Sequence, residues 1–240
     1  MKALQTLASW RLHAVLLALW FAASFGVVFF VRDLQAVVAA SGAVNPVALV
    51  TVGTQVIVHG WQTGIEFDGG LAERVRAPAA HVMPLPPNLT LREAVVLGVP
   101  AFTVAVALER FEAGGLTPDS GPVVVSGASG AVGIAALAIL RRAGYVSVAL
   151  SRRAEWREPL MRLGAADVLV VDAAVQDKRP LERALYAAAI DNVGGPVLSW
   201  LLRSLKDHGQ LASVGNASGI GFSTNVLPFI LRQVTMFGVV

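Results

Sequence analysis

Residues 121–133 read Gly-Pro-Val-Val-Val-Ser-Gly-Ala-Ser-Gly-Ala-Val-Gly, and this stretch decides the fold. Val123 to Val125 is a β-branched run of the kind that forms a parallel strand buried on both faces. Ala128-Ser129-Gly130-Ala131-Val132-Gly133 follows without a break, an A-x-G-x-x-G pattern with Gly127 just ahead of it. Ile134 to Arg142 then predicts a helix with an apolar face and two arginines in its last turn, where they suit the helix dipole. Gly144 stops that helix, and Tyr145 to Leu150 predicts a second strand. A glycine turn between a strand and a helix lets backbone amides approach a pyrophosphate, and the helix N-terminus favours its charge.

The end of the second strand sharpens the expectation. A unit that binds NAD places Asp or Glu roughly 20 residues past the glycines, against the ribose 2′-hydroxyl. Here Ser151, Arg152 and Arg153 stand there instead. A carboxylate would repel a 2′-phosphate, whereas a hydroxyl and two guanidinium groups can hydrogen-bond it. The expected cofactor is therefore NADP(H). The competing interpretation is a solvated surface cluster, since Arg157 and Arg162 lie nearby.

Composition sets outer bounds. At 240 residues the chain can hold one large domain or two small ones. Hydrophobic residues make up 55% and charged residues 15%, at the apolar and charge-poor edge for a soluble protein. The net charge of +3 is small and the basic residues form no run with interleaved aromatics, so nucleic-acid binding is not indicated. Without any cysteine, neither disulfides nor a thiolate zinc site can form.

The N-terminus has a different texture. Residues 12–31, LHAVLLALWFAASFGVVFFV, contain only His13 as a titratable group. As a helix they would span roughly 30 Å, the thickness of a hydrocarbon core, which predicts a transmembrane anchor within an apolar leader over residues 1–50. A cleaved signal peptide, with Ala39-Ala40-Ser41 as the small-residue site, and a helix buried in protein are the other readings of the same residues. Charge asymmetry, with Lys2 and Arg11 ahead of the span, orients the N-terminus to the cytoplasm and the rest outside. That orientation conflicts with use of a cytosolic cofactor.

From Thr51 onward the pattern becomes globular. Gln55 to Val58 and Leu71 to Arg76 predict strands, and the prolines at 84, 86 and 87 predict an extended connector. Thr90-Leu91-Arg92-Glu93 has the spacing of a capping box, and Pro100 predicts the start of a second helical stretch to Arg110, ended by Gly114-Gly115. Beyond the glycine loop, helices are expected at 155–163, 181–186 and 197–205. Strands are expected at 168–171, 188–191, 210–214 and 236–240. With the first two this makes six strands separated by helices, which predicts an α/β doubly wound parallel sheet. Its ligand crevice would lie at the carboxyl ends of the strands, where Gly127, Ser151, Asp191 and Gly215 fall. Asp191 there reads as a structural carboxylate.

With these residues on the page, the region from about 51 to 240 resembles the medium-chain dehydrogenase/reductase superfamily, in its zinc-free quinone oxidoreductase and acrylyl-CoA reductase branch. The matching pieces are Gly-Trp at 60–61, Gly-Gly-Leu-Ala-Glu at 69–73, Gly-x-x-Ala-Phe-Thr at 98–103, the glycine loop at 126–133, Leu-Gly-Ala at 163–165, Arg-Pro-Leu-Glu at 179–182, Ile-Asp-Asn-Val-Gly at 190–194 and Leu-Pro-Phe-Ile-Leu-Arg at 227–232. The resemblance implies a Rossmann domain over 101–240 and an incomplete GroES-like β domain over 51–100. It implies that Ser129, Gly130, Ala131 and Val132 lie on the pyrophosphate, with Gly133 also cofactor-binding, and that Ser151, Arg152 and Arg153 lie on the 2′-phosphate. Asn216 and Ile230, and with a looser match Thr103, are placed near the nicotinamide. For Asn216 and Ile230 a strand-end turn and a buried helix position are equally open readings.

The implied reaction is hydride transfer from NADPH to a quinone or to the β-carbon of an activated alkene such as an enoyl or acrylyl thioester, with no metal and no proton donor identified. His59, His81 and His208 have no ligand spacing and read as surface or turn residues. The family's substrate-side strands have no counterpart ahead of Thr51, so a second hypothesis stands beside the enzyme: a non-catalytic, NADPH-binding remnant behind a membrane segment. The small-molecule substrate, a homodimer, and a cytoplasmic location with membrane contact through residues 12–31 complete the expectations.

Overall fold

The structure is a computed structural model, and it describes residues 53–58, 64, 66, 70, 75–78, 81–171 and 179–239. The expected anchor at 12–31 therefore lies outside the described residues, as do the Gly-Trp motif and most of Gly-Gly-Leu-Ala-Glu. The chain divides into two units, Met1–Phe102 and Thr103–Val240.

In the first unit, β1 (Val56–Val58) and β2 (Val82–Pro84) pair antiparallel, with Val56 opposite Pro84. Ile57, Met83 and Ala94 bury one face of the pair and Val56, Val58 and Val82 the other. Of the strand expected at 71–76, only Val75 and Arg76 are described, and neither is in a strand. Helix α1 (Leu91–Ala113) begins at the capping box as expected: Thr90 Oγ1 accepts the Glu93 amide at 3.2 Å, and Glu93 Oε2 accepts the Thr90 amide at 2.8 Å. Gly98, at φ 36° and ψ −149°, breaks the helical path, and Pro100 then opens the second half. By length and composition α1 is the one helix among the described residues able to cross a membrane. Within the second unit, however, Val104, Ala107, Leu108 and Phe111 of this helix are buried in a protein core.

The second unit is a six-stranded sheet in the order β5-β4-β3-β6-β7-β8, with every neighbouring pair parallel. The strands are β3 (Val123–Val125), β4 (Ser147–Ser151), β5 (Ala165–Val170), β6 (Tyr186–Asp191), β7 (Leu205–Ser213) and β8 (Thr235–Gly238). Between them run α2 (Ala131–Arg142), α3 (Arg157–Leu163), α4 (Gly195–Ser204) and α5 (Leu227–Arg232). The alternation along β3 explains the layering. Val123 and Val125 join the core formed with α1, α2 and α3, whereas Val124 faces Leu198, Leu201 and Leu202 in the core under α4. Helices thus cover both faces, as the near-continuous apolar strands require. The chain builds outward from β3 to β5 in one direction and from β6 to β8 in the other. This leaves a switch point between β3 and β6, and the sheet is the doubly wound Rossmann arrangement.

One expected helix is absent. Residues 181–185 form no regular element and lead straight into β6, which starts at Tyr186. Their backbone is satisfied from elsewhere: the Glu182 amide donates to Arg203 O and the Leu185 amide to Ser204 O, each at 3.0 Å. Arg232 Nη2 donates to Glu182 O at 2.6 Å, and Asn225 Nδ2 to Pro180 O at 3.0 Å. With these long-range partners, no local helix is needed to pair the segment.

Candidate nucleotide site

The carboxyl ends of β3, β4, β6 and β7 carry the residues singled out in the sequence. After β3 the chain turns at Gly127, whose φ of +58° suits glycine, and the Gly130 amide donates to Gly127 O at 2.9 Å. Gly133 is obligatory for a different reason. A Cβ there would lie 2.5 Å from both Ala128 Cα and Gly127 O, so α2 packs on the loop more closely than any side chain permits. The first hydrogen bond of α2 runs from the Ile134 amide to Gly130 O at 2.9 Å. The amides of Ala131, Val132 and Gly133 precede it, and the N-cap Gly130 has no side chain to take them up. Gly130 and Ala131 are exposed, and Ser129 and Val132 are half-buried. This is the mouth of a twelve-residue helix whose first three amides precede its first hydrogen bond, an arrangement suited to an anion.

Beneath the loop a buried polar knot ties three strand ends together. Ser126 Oγ donates to Asp191 Oδ1 at 2.6 Å and accepts the Asn192 amide at 2.9 Å, and Asn192 Nδ2 donates to Ser126 O at 2.7 Å. The Asp191 carboxylate also accepts the Gly194 amide at 2.8 Å and the Val193 amide at 3.3 Å. Its backbone carbonyl accepts the amides of Val214 and Gly215. Burial pushes the Asp191 carboxyl above its ordinary range, while the bonds from Ser126, Gly194 and Val193 pull it back. Asp191 is fully buried and fully committed, in keeping with a structural role. Gly215 passes so close to Asn192 that a Cβ would lie 2.5 Å from Asn192 O.

At the end of β4, Ser151 is buried while Arg152 and Arg153 are exposed. The Ser151 hydroxyl is bonded to the backbone of Arg153. The Arg153 guanidinium lies over the Trp156 ring at 5.2 Å, with Nε 3.9 Å from Glu155. The arginine-rich surface nearby is partly occupied: Arg157 pairs with Asp167 at 2.8 Å and Arg162 with Glu158 at 3.3 Å. Asn216 is exposed at the turn after β7, against Gly194, whose Cβ would lie 3.4 Å from Asn216 Cα. Ile230 sits on α5 and is 65% exposed, so it is not a buried helix position. Thr103 is buried on α1.

Sequence reasoning missed the Ser126–Asn192 half of the knot and the platform that Trp156 gives Arg153. A tryptophan three residues after an arginine at a strand end was the available signal for the second. A cavity of about 300 Å³ lined by Arg110, His208, Gln210, Gln233, Thr235 and Phe237 lies at the opposite, amino-terminal ends of β7 and β8. Its Arg110 is already held by Gly238 O at 2.8 Å and by the Phe237 ring at 4.0 Å. Among the described residues no group of three His, Asp or Glu side chains is placed to hold a metal ion.

Comparison with known proteins agrees with this geometry. The family profile described as zinc-binding dehydrogenase matches residues 131–240. The acrylyl-CoA reductase AcuI of Ruegeria pomeroyi is 38% identical over 188 residues, covering 78% of this chain and 57% of the relative. The structure of Escherichia coli K-12 YhdH with bound NADPH superimposes with a TM-score of 0.76 at 39% identity, covering 79% of this chain and 58% of that one. Bacillus subtilis yhfP with NAD bound gives a TM-score of 0.75 at 35% identity, covering 88% and 63%. The chain spans a little over half the length of the curated relatives it matches. Sheet order, glycine loop and these relatives place the chain in one family: it belongs to the medium-chain dehydrogenase/reductase superfamily.

Proposed function

We propose that this chain binds NADPH across the carboxyl ends of β3, β4, β6 and β7 and belongs to an oxidoreductase that reduces a quinone or an activated alkene such as an enoyl thioester. The observation that carries the reading is the pairing of two features. One is a glycine-shaped cradle at the start of α2, where Gly133 leaves no room for a Cβ. The other is a β4 end with no acid at residues 151–153 and two exposed arginines in its place. Both fit a dinucleotide carrying a 2′-phosphate. The names of the relatives support the chemistry: an acrylyl-CoA reductase in Ruegeria pomeroyi, and an Escherichia coli protein crystallised with NADPH.

In this reading Ser129, Gly130, Ala131, Val132 and Gly133 receive the pyrophosphate, and the α2 N-terminus favours its charge. Ser151, Arg152 and Arg153 form the 2′-phosphate end. Asn216 and Ile230 flank the nicotinamide end, where an exposed apolar side chain helps keep water from the reacting face. When bound, the reduced nicotinamide supplies the hydride that the substrate accepts. The sequence contains no cysteine, so the zinc chemistry that uses thiolate ligands is not available to it. The domains follow as a leader over 1–50, a partial GroES-like region over 51–100 and the NADP-binding domain over 101–240. Residues 12–31 supply membrane contact for a protein working on the cytoplasmic side, with a homodimer as its assembly.

The test is titration of the purified full chain with NADPH and NADH by calorimetry, followed by single-turnover oxidation of the bound NADPH with a quinone or acrylyl-CoA. Tighter binding of NADPH and its oxidation on substrate addition are expected. Absence of NADPH binding by folded protein sinks the reading, and binding without oxidation leaves a nucleotide-binding module in place of an enzyme.

A further inference from the structure

We propose that Ser151 sets the preference for a 2′-phosphorylated cofactor by locking the backbone of Arg153, and not by touching the phosphate. The inference rests on the NADPH reading above and deepens it by dividing the labour at the β4 end. Ser151 is the last residue of β4 and only 4% exposed. Its hydroxyl donates to Arg153 O at 3.0 Å and accepts the Arg153 amide at 3.1 Å. A serine carries a single hydroxyl proton, and this one is spent within the protein. A phosphate at neutral pH offers acceptors and requires donors, so the hydroxyl has nothing left to give it.

What the hydroxyl accomplishes instead is local. Its two bonds to the residue two positions on close a side-chain turn of the kind serine forms with its own backbone. That turn fixes Arg153 at φ −116° and ψ 116°, at the entry to the short helical turn that contains Trp156. From this backbone the guanidinium lies 5.2 Å from the Trp156 ring centre, and the side chain stays 58% exposed. A cation resting on an aromatic face keeps edge N–H groups available to an anion, and of Arg153 the Nε edge already lies 3.9 Å from Glu155, which leaves the terminal amino groups for the phosphate. The arginine is thereby ordered before the nucleotide arrives, and less freedom is lost on binding. Arg152, exposed beside it, needs no such support to add its charge.

The experiment is a double-mutant cycle read by calorimetry. Dissociation constants for NADPH and NADH are measured for the full-length wild type, Ser151→Ala, Arg153→Ala and the double variant. The preference is the ratio of the NADH to the NADPH constant. Ser151→Ala is expected to lower this ratio roughly tenfold, about one hydrogen bond to a charged site, with NADH affinity held within about threefold. In the Arg153→Ala background the same change should alter the ratio by less than about twofold, because its only route of action is gone. Ser151→Thr keeps the hydroxyl and should retain the wild-type ratio, which also covers the case in which the alanine variant folds poorly. Losses that multiply in the double variant, or a Ser151→Ala ratio equal to wild type, overturn the proposal. A wild type with no NADPH preference at all overturns the cofactor reading itself.

Discussion

The Ser126 hydroxyl and the Asp191 carboxylate meet at 2.6 Å across the junction of β3 and β6, and neither residue is accessible to solvent. Because Asp191 acts only as an acceptor here, Asp191→Asn turns an amide NH₂ toward either the Ser126 hydroxyl or the Gly194 amide, both of which donate. The expected cost is about 2–3 kcal/mol, the usual penalty for unsatisfied buried groups, measured by urea denaturation. The pH dependence follows from the direction of the carboxyl's shift, which is upward from 3.8. A raised value means the folded state holds its proton longer than the unfolded one, so this group's stabilising contribution is full below 3.8 and is lost as pH rises through the folded value. The stability gap between wild type and Asp191→Asn should therefore narrow from about pH 4 upward. A gap that widens with pH contradicts the assignment.

Gly133→Ala tests the cradle. The added Cβ meets backbone atoms at 2.5 Å, and backbone cannot swing aside as a side chain can. Moving α2 off the loop should cost about 1–3 kcal/mol in stability and weaken NADPH binding by roughly tenfold or more. Thermal denaturation with and without NADPH reads both. A variant with wild-type affinity would show that the loop does not carry the pyrophosphate.

Arg153→Asp replaces an exposed guanidinium with a carboxylate at the expected 2′-phosphate. NADPH affinity should fall roughly 10- to 100-fold, the loss of a charge-assisted contact, while NADH changes by only a few-fold. Equal losses for the two nucleotides would remove the phosphate assignment.

Tyr186 offers a spectroscopic check on the sheet. Its ring lies edge-on to Trp200 at 6.0 Å, and burial, with a smaller contribution from the charge of Asp167, pushes its phenol up to about 12. The neutral phenol favours the fold below its ordinary value near 10, and that contribution is lost as pH climbs to about 12. In an alkaline titration, the phenolate absorbance that disappears in Tyr186→Phe should emerge only near or above that value, together with loss of the folded signal. A Tyr186 step near pH 10 in folded protein would place the ring in solvent.

The leader can be tested by fractionation. Removing residues 1–40 should shift the protein from the membrane to the soluble fraction, and unchanged partitioning would count against the anchor.

The sheet was legible because its signals were local. Val123 to Val125, the glycines and the apolar face of α2 each carry the fold in their immediate spacing, and β3, α2 and β4 formed within a few residues of where the pattern put them. Residues 181–186 were misread for the opposite reason. Leu181, Glu182 and Arg183 have good helix propensity, yet Arg232 and Asn225, forty or more residues away, bind the carbonyls of Glu182 and Pro180 and hold the segment out of a helix. In the site, the identity of the β4-end residues could be read directly. The direction of the Ser151 hydroxyl could not, since whether it faces ligand or backbone depends on a turn that sequence spacing does not specify.

The proposed nucleotide surface is assembled from the ends of four strands that are distant in sequence: 127–133, 151–153, 191–194 and 215–216. No continuous stretch of the chain contains more than a fraction of it. Severing the polypeptide between α3 and β6 would give two fragments that each hold only some of the binding groups, and neither alone should capture the dinucleotide. If the proposed site binds NADPH, reassociation of the pieces would be driven by that ligand, which would act as a clamp on the tertiary structure as well as a reagent.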